Sequence, residues 1–304
     1  MPPLVSIILI NWNQPQVTAE CLRTLAKITY PNVEIVLVDN GSSDDSVRRL
    51  KDEFPKARLI EAGRNLGFTG GNNLGMNHAK GDYFLLLNND TEVPPGFLEP
   101  LIEVCEGNPK IGAASPKIRF YSQPDTIQYA GGTPIHPVTG RGSFIGWGQK
   151  DSGQFDTARP TEFAHGAAFL VKRKVTEQVG VLFNDYFIYY EELDWSVRIR
   201  KAGYEIWCVP QSLVLHKESV TVGKANPRKT YLQTRNRILF MRRQSPAWAS
   251  SIFMIYLVLI ALPVTTARML LAHKREHLQA YWKGVSEGLT FGRTGIEARL
   301  EPVA

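Results

Sequence analysis

Three apolar runs, each cut off by a side chain that carries oxygen or nitrogen, constrain the fold more than any other feature of this chain. Val5 to Ile10 stops at Asn11, Val33 to Val38 stops at Asp39, and Tyr83 to Leu87 stops at Asn88-Asn89-Asp90. Continuous runs this short predict strands buried on both faces of a parallel sheet. Between the first two, Pro15 to Ala26 carries apolar residues at helical spacing. After the second, Ser42-Ser43-Asp44-Asp45 supplies capping groups ahead of a helix over Val47 to Phe54. A short strand at Arg58 to Glu61 and a Gly/Asn-rich turn and helix over Asn65 to Ala79 continue the alternation. This order predicts an α/β fold with a mostly parallel sheet flanked by helices. Such sheets bind ligands beyond the carboxyl ends of their strands, so Asn11, Asp39 and the 88–90 segment are expected around one crevice.

From Ile111 to Phe163 the pattern loosens into Gly, Pro and aromatic residues, which predicts a mobile lid or acceptor-side excursion. Regular signals return with a strand over Gly166 to Val171, a helix over Glu192 to Ala202, and short strands at Ile206 to Val209 and Leu213 to Leu215. The expected organisation is a catalytic domain over 1–222, with a nucleotide-binding half of about 1–110 and an acceptor-binding half of about 111–222, then a helical region over 223–304. In that last region Ala247 to Val264 is apolar and near the lower limit for a membrane span. Arginines and lysines on both sides leave its orientation open, and the amphipathic, basic Met269 to Trp282 fits an interfacial helix. A membrane-associating segment is expected, crossing the bilayer or lying on it.

At 43% hydrophobic and 21% charged the chain is a folded protein, not a disordered one. Cys21, Cys105 and Cys208 form neither an even disulfide set nor a C-x-x-C zinc pattern, and the first residues lack the basic start of a signal anchor. Both observations predict a cytoplasmic catalytic part, at the inner face of the cell membrane. The net charge of +6 favours anionic partners.

The chemistry concentrates where strands end. Asp90 follows an apolar strand, as suits a carboxylate that holds a hard divalent cation, manganese or magnesium, against a diphosphate. As a bare pattern, Asn88-Asn89-Asp90 also suits a turn. His216 follows Leu213-Val214-Leu215 and offers an imidazole ligand to an oxygen-rich site. In Glu191-Glu192-Leu193-Asp194, the last acid has an i, i+4 partner in Arg198, and Glu191 suits a helix N-terminus. Glu192 shares a face with Trp195 and Ile199, where burial raises a carboxylate toward the range of a useful base. Asp39 is placed to accept the N3–H of uracil or thymine. The glycines of Gly67 to Asn73, Gly71 among them, do not have dinucleotide-fingerprint spacing, and are expected to let backbone approach a nucleotide beside Arg64, Asn65 and Asn72.

Taken together, Val5 to Asn13, Val38 to Asp44, Asn65 to Asn73, Leu87 to Asp90, His165 to Ala168 and Glu191 to Arg198 resemble the family 2 glycosyltransferases, in particular their rhamnosyltransferase-like branch. The resemblance covers about residues 4–220. It implies a GT-A fold and inverting transfer of a sugar, rhamnose from dTDP-rhamnose being the first expectation and a UDP-sugar the next, to a hydroxyl of a glycan or lipid-linked acceptor in cell-surface polysaccharide synthesis. It makes Asp39 the base-recognising acid and Asp90 the last position of an Asp-x-Asp metal motif. It also makes Glu192 the general base and His216 a metal ligand, with Asn11, Asn13, Asn88 and Asn89 around the donor and His165, Gly166 and Trp195 on the acceptor side. Two positions depart from the family pattern: Asn88 stands for the first motif acid, and Glu192 for the usual Asp. The rival enzyme class is a metal-dependent nucleotidyltransferase acting on sugar phosphates. It needs a Gly-rich basic loop after the first strand, where Asn11-Trp12-Asn13-Gln14-Pro15 stands instead. Nucleic acid is not an expected partner, because the acids at the crevice repel it.

Overall fold

The structure, a computed structural model, describes residues 1–217 and 226–291. The expected boundary at 222/223 and the last thirteen or so residues lie outside them. The first half alternates as the apolar runs predict: β1 (Val5–Asn11), α1 (Pro15–Leu25), β2 (Val33–Asp39), α2 (Ser46–Glu53), β3 (Arg58–Glu61), α3 (Gly67–His78) and β4 (Tyr83–Leu87). These four strands are parallel neighbours in the order β3-β2-β1-β4. Ile7, Ile8 and Leu9 are fully buried because α1 and α3 cover opposite faces of the sheet, and each such side chain contributes about 1.5–3 kcal/mol. Gly71 and Gly75 let α3 lie close on the sheet: a Cβ at Gly71 would come 2.9 Å from the Ile10 side chain, and one at Gly75 2.5 Å from that of Ile8. Gly71 therefore serves packing and stands away from the ligand-binding cavity.

After β5 (Thr91–Glu92) and α4 (Glu99–Gly107), the chain forms β6 (Ile111–Phe120) and β7 (Gln123–Tyr129), then β8 (Arg159–Pro160) and β9 (Ala168–Lys172). The lid expected over 111–163 is corrected in its first third. The segment Ile111–Ile118 is buried throughout and forms an inner strand of the sheet, paired on one side with β9. Pro116 and Lys117 hid it by interrupting the apolar run. Lys117, 1% exposed, is compatible with the core because its ammonium pairs with Asp151 at 3.0 Å and with Asp156. Pro116 lies next to a register shift in the neighbouring strand, between Val209 and Leu213.

Next come α5 (Arg173–Val179), α6 (Glu191–Lys201) and β10 (Glu205–His216). The two short strands expected at 206–209 and 213–215 are thus one strand with a bulge, which pairs parallel to β6 and ends at His216. The full order is β3-β2-β1-β4-β9-β6-β10-β5.

The C-terminal helices are α7 (Pro227–Gln244), α8 (Ala247–Tyr256), α9 (Leu262–Leu271) and α10 (Arg275–Thr290), with a π-helical turn over Leu257–Ala261 joining α8 to α9. Asn226 caps α7 by accepting from the Arg228 N–H at 2.8 Å. Gly284 and Gly288 bring α10 against α7, where a Cβ at Gly284 would meet the Tyr231 carbonyl at 2.7 Å. The continuous helix Ala247–Leu271, with mean hydropathy 2.1 in its most apolar window, is long and apolar enough to cross a membrane. Only 22% of that window is buried, and Trp248, Ile255, Leu259 and Leu271 stand exposed.

Candidate active site

The carboxyl ends of β1 and β2 are in register, Asn11 beside Asp39. The Asn11 amide donates to Asp39 Oδ2 at 2.9 Å and to Ser42 Oγ at 3.1 Å, and its carbonyl accepts from the Thr18 hydroxyl at 2.8 Å. Asp39 also accepts from the Ser42 N–H at 2.9 Å and the Ser42 hydroxyl at 2.6 Å. Both residues are nearly fully buried, and three protein donors occupy the Asp39 carboxylate. Asn13, at φ 53°, accepts from the Ser43 N–H at 2.8 Å. Gly41, at φ +75°, makes room for the Arg64 backbone, which a Cβ there would meet at 2.5 Å. Asn11, Asn13 and Asp39 thus form one hydrogen-bonded turn region, with the Arg64 backbone packed on Gly41 beside it, that flanks the large cavity without lining it.

That cavity, of about 860 Å³, is lined by Asn65, Asn72, Asn88, Asn89, Asp90, His165, Gly166, Glu191, Glu192 and His216. Its size suits a nucleotide sugar. His216 Nε2 lies 3.2 Å from Asp90 Oδ1 and 3.4 Å from the Asn88 amide. The other ring nitrogen, Nδ1, is 2.9 Å from Gln128 Oε1. With Nδ1 turned to that oxygen, Nε2 faces the Asp90 carboxylate, where a cation could sit between the two. The carboxylate and imidazole fit manganese or magnesium, Asn88, which turns its amide nitrogen to His216, could add its carbonyl oxygen by rotating that amide, and the Gln128 contact is the outer-shell partner that a metal-binding imidazole uses. Among the described residues there is no group of three or more His, Cys, Asp or Glu that would form an all-protein cage. A cation here therefore depends on ligand oxygens to complete its shell.

His165 stands beside this pair, its ring 6.0 Å from that of His216, and its Nδ1 accepts from the Ala167 N–H at 2.9 Å. Burial, with His216 adding to it, depresses its imidazole to about 3, so it stays neutral and does not compete with a cation.

Glu191 and Glu192 open α6 and line the same cavity. Burial pushes Glu192 up to about 7, against the opposing pull of N–H groups in the first turn. Burial and the neighbouring Glu192 push Glu191 well above the usual carboxylate range. Each has a buried Oε2 without a hydrogen-bond partner. Raised this far and lining the cavity, Glu192 is suited to take up a proton near neutral pH, while Glu191, pushed well above the usual range, favours its protonated form. Glu191 is the acid that the sequence left as a simple helix-start charge.

The segment leading into this pair is strained. Phe187, Tyr189 and Tyr190 have φ of 66°, 74° and 74°. α7 holds it in place: the Asn236 amide reaches the carbonyls of Tyr186, Ile188 and Tyr189 at 2.8, 2.9 and 2.8 Å, and Arg235 donates to those of Asp185 and Tyr186. Neither residue has a sequence signal, since both sit in a stretch that reads as basic helix. Trp195, expected on the acceptor side, is fully buried instead, donating to the Gly180 carbonyl at 2.9 Å and packing on Phe169. Its one-turn offset from Glu192 puts it on the face that meets the sheet.

Comparison with known proteins agrees with this architecture. A rhamnosyltransferase of Mycobacterium tuberculosis, N-acetylglucosaminyl-diphospho-decaprenol L-rhamnosyltransferase, is 24% identical over 270 residues, covering 82% of this chain and 87% of the relative. The low-salt glycan biosynthesis hexosyltransferase Agl10 of Haloferax volcanii is 25% identical over 308 residues, covering 97% and 94%. The fold matches a mannosyltransferase from Pyrobaculum calidifontis solved with GDP-Man and Mn2+, with a TM-score of 0.57 at 17% identity over 95% of this chain and 88% of that one. It also matches TarS 1-349 of S. aureus, with a TM-score of 0.59 at 14% identity over 93% and 81%. The sheet is thus of the GT-A type. The family model described as glycosyl transferase family 2 matches residues 6–180, more than half the chain, and the protein belongs to that family of glycosyltransferases.

Proposed function

We propose that this enzyme is an inverting transferase that moves a sugar, rhamnose being the first expectation, from a dTDP- or UDP-linked donor to the hydroxyl of a lipid-linked glycan at the inner face of a membrane. The observation that carries the proposal is that one cavity brings together the Asp90–His216 pair and the raised carboxylate of Glu192. The Mycobacterium tuberculosis relative, named for a rhamnosyl transfer to a diphospho-decaprenol, supports the choice of sugar and acceptor. The exposed apolar helix Ala247–Leu271 supports the membrane.

Asp90 and His216, with the Asn88 carbonyl, would hold manganese or magnesium, which supplies positive charge to the departing diphosphate. Asn65 and Asn72 line the donor side, and Asp39, its carboxylate held by Asn11 and Ser42, shapes the turn at the flank. Glu192 takes the proton of the acceptor hydroxyl as that oxygen bonds to the anomeric carbon. The bond from that carbon to the diphosphate breaks on the opposite face, its electron pair leaving with the phosphate oxygen, through an oxocarbenium-like transition state. Buried His165 stays neutral and keeps water from the acceptor wall. The test is the melting temperature with dTDP, UDP and ATP, with and without manganese. A ligand at a hundred times its Kd adds about 2.7 kcal/mol. The pyrimidine nucleotides should raise melting with manganese more than ATP does, and equal shifts from all three would refute the pocket.

A further inference from the structure

The same cavity has a second polar pole that sugar transfer as described leaves unused. Arg237 of α7 lines it, is 6% exposed, and has a buried Nε without a hydrogen-bond partner. The groups that act on it are the phenols of Tyr190, Tyr256 and Tyr281 and the guanidinium of Arg141, with no carboxylate among them. Burial, joined by Arg141, lowers its pKa. Arg141 is brought there by a turn that sits on α7. His136 N–H donates to the Arg141 carbonyl at 2.9 Å, and Gly140 N–H to the His136 carbonyl at 2.8 Å. Gly140, at φ +64°, packs so closely on α7 that a Cβ would meet Met241 at 2.7 Å and the Arg237 side chain at 3.3 Å. The Tyr190 hydroxyl fastens the turn through the Gly140 carbonyl at 3.1 Å.

Arg228 and Lys229 also line the cavity but lie over the Phe187 and Tyr189 rings, whereas Arg237 is buried with no ionic partner among the described residues and has Arg141 near it, a pairing that is costly unless an anion joins the two. Guanidinium groups match phosphate oxygens in geometry and charge. The donor diphosphate has its own place at Asp90 and His216, so a second phosphate group fits here. Thr265 and Met269 of α9 line the cavity too, and this helix exposes Val264, Leu270 and Leu271 to the outside. A ligand here has its phosphate among arginines and an apolar helix beside it.

We propose that Arg237, with Arg141, binds the phosphate or diphosphate that joins the acceptor glycan to its lipid, and that the lipid leaves along α9. This rests on the function proposed above, and names the part of the acceptor that the enzyme grips.

The test uses the full chain in detergent with farnesyl diphosphate as probe, against farnesol, inorganic pyrophosphate and dTDP with manganese. Farnesyl diphosphate should bind while dTDP and manganese saturate the donor side, and more tightly than farnesol or pyrophosphate. Arg237→Met and Arg141→Met should each weaken it roughly tenfold to a hundredfold, the range for a hydrogen bond to a charged group, and Arg237→Lys should recover part of the loss. Arg141 is exposed, so its variant keeps the test open should Arg237→Met not fold. Mutual exclusion of farnesyl diphosphate and dTDP overturns the proposal, since the arginines then serve the donor. Equal binding of pyrophosphate overturns the lipid assignment, and equal binding by wild type and Arg141→Met overturns the site. A dTDP shift without arginine-dependent farnesyl diphosphate binding sinks the anion site alone. Arginine-dependent binding without any nucleotide shift sinks the donor assignment and supports the anion site.

Discussion

His216 Nε2 lies 3.2 Å from Asp90 Oδ1, although one residue ends β10 and the other follows β4. The ring is turned to face Asp90 because Gln128 holds Nδ1 at 2.9 Å. Gln128→Leu removes that partner and frees the imidazole to take the other tautomer. Manganese affinity should fall about 10–100-fold, as for other outer-shell partners, with nucleotide binding in the absence of metal unchanged. Titrating manganese against dTDP affinity reads this directly.

Glu192 gives a pH prediction with a definite sign. Its carboxyl ionises at about 7 in the folded protein and near 4.5 when the chain is unfolded. Between these values the native state binds more protons than the unfolded one, so stability is greatest below about 4.5 for this group and is lost as pH rises to about 7. Glu191, raised by burial, acts in the same direction. Melting temperature should therefore decline across that window, and Glu192→Gln should flatten the decline. Transfer should move the opposite way, rising toward pH 7 and above as the base loses its proton.

Asn236 acts through the strained segment before Glu191. Replacing it with Leu leaves the Ile188 and Tyr189 carbonyls short of a donor, Arg235 still reaching Tyr186, and each costs about 1–3 kcal/mol if it stays buried. Urea denaturation should show a loss at the lower end of the summed range, since water reaches part of the loop. Transfer should fall with donor Kd unchanged, because the nucleotide side is built by other elements.

Arg198 secures the other end of the same wall. It pairs with Asp194 at 2.8 Å and donates to the carbonyls of Val179 and Val181 at 2.6 and 2.8 Å, all buried. Arg198→Met removes the nearer guanidinium from Asp194, which keeps Gln244 at 2.8 Å, Tyr186 at 3.1 Å and Arg243 at 3.7 Å, so the stability loss should fall short of the about 3–5 kcal/mol of a carboxylate left with no partner. The pairing also gives Asp194 a structural role, as its i, i+4 spacing implied.

How much of this was legible follows the physics of each segment. β1, β2 and β4 were plain because strands buried on both faces must be apolar throughout; of their polar ends the 88–90 segment lines the cavity, while Asn11 and Asp39 bond to each other at its flank. Asp90 and His216 were legible as residues that follow strands, and the fold brings them together. β6 was obscured because its charge, Lys117, is neutralised by Asp151 and Asp156, far along the chain, which no local pattern shows. Trp195 was misplaced because helical spacing gives a face without saying which neighbour covers it. Gln128, Asn236 and Arg237 had no local signal at all, since their roles depend on tertiary partners in β10, the 186–189 segment and the 136–141 turn.

The central claim is that Asp90 and Glu192 divide the work, one holding the donor through a cation and the other taking the acceptor proton. Calorimetric Kd values for dTDP and UDP, with and without manganese, in wild type, Asp90→Asn and Glu192→Gln test it most directly. Asp90→Asn should lose the manganese-dependent part of binding while Glu192→Gln keeps it and yet transfers no sugar. Manganese-dependent affinity that survives in Asp90→Asn, or disappears in Glu192→Gln, would contradict it.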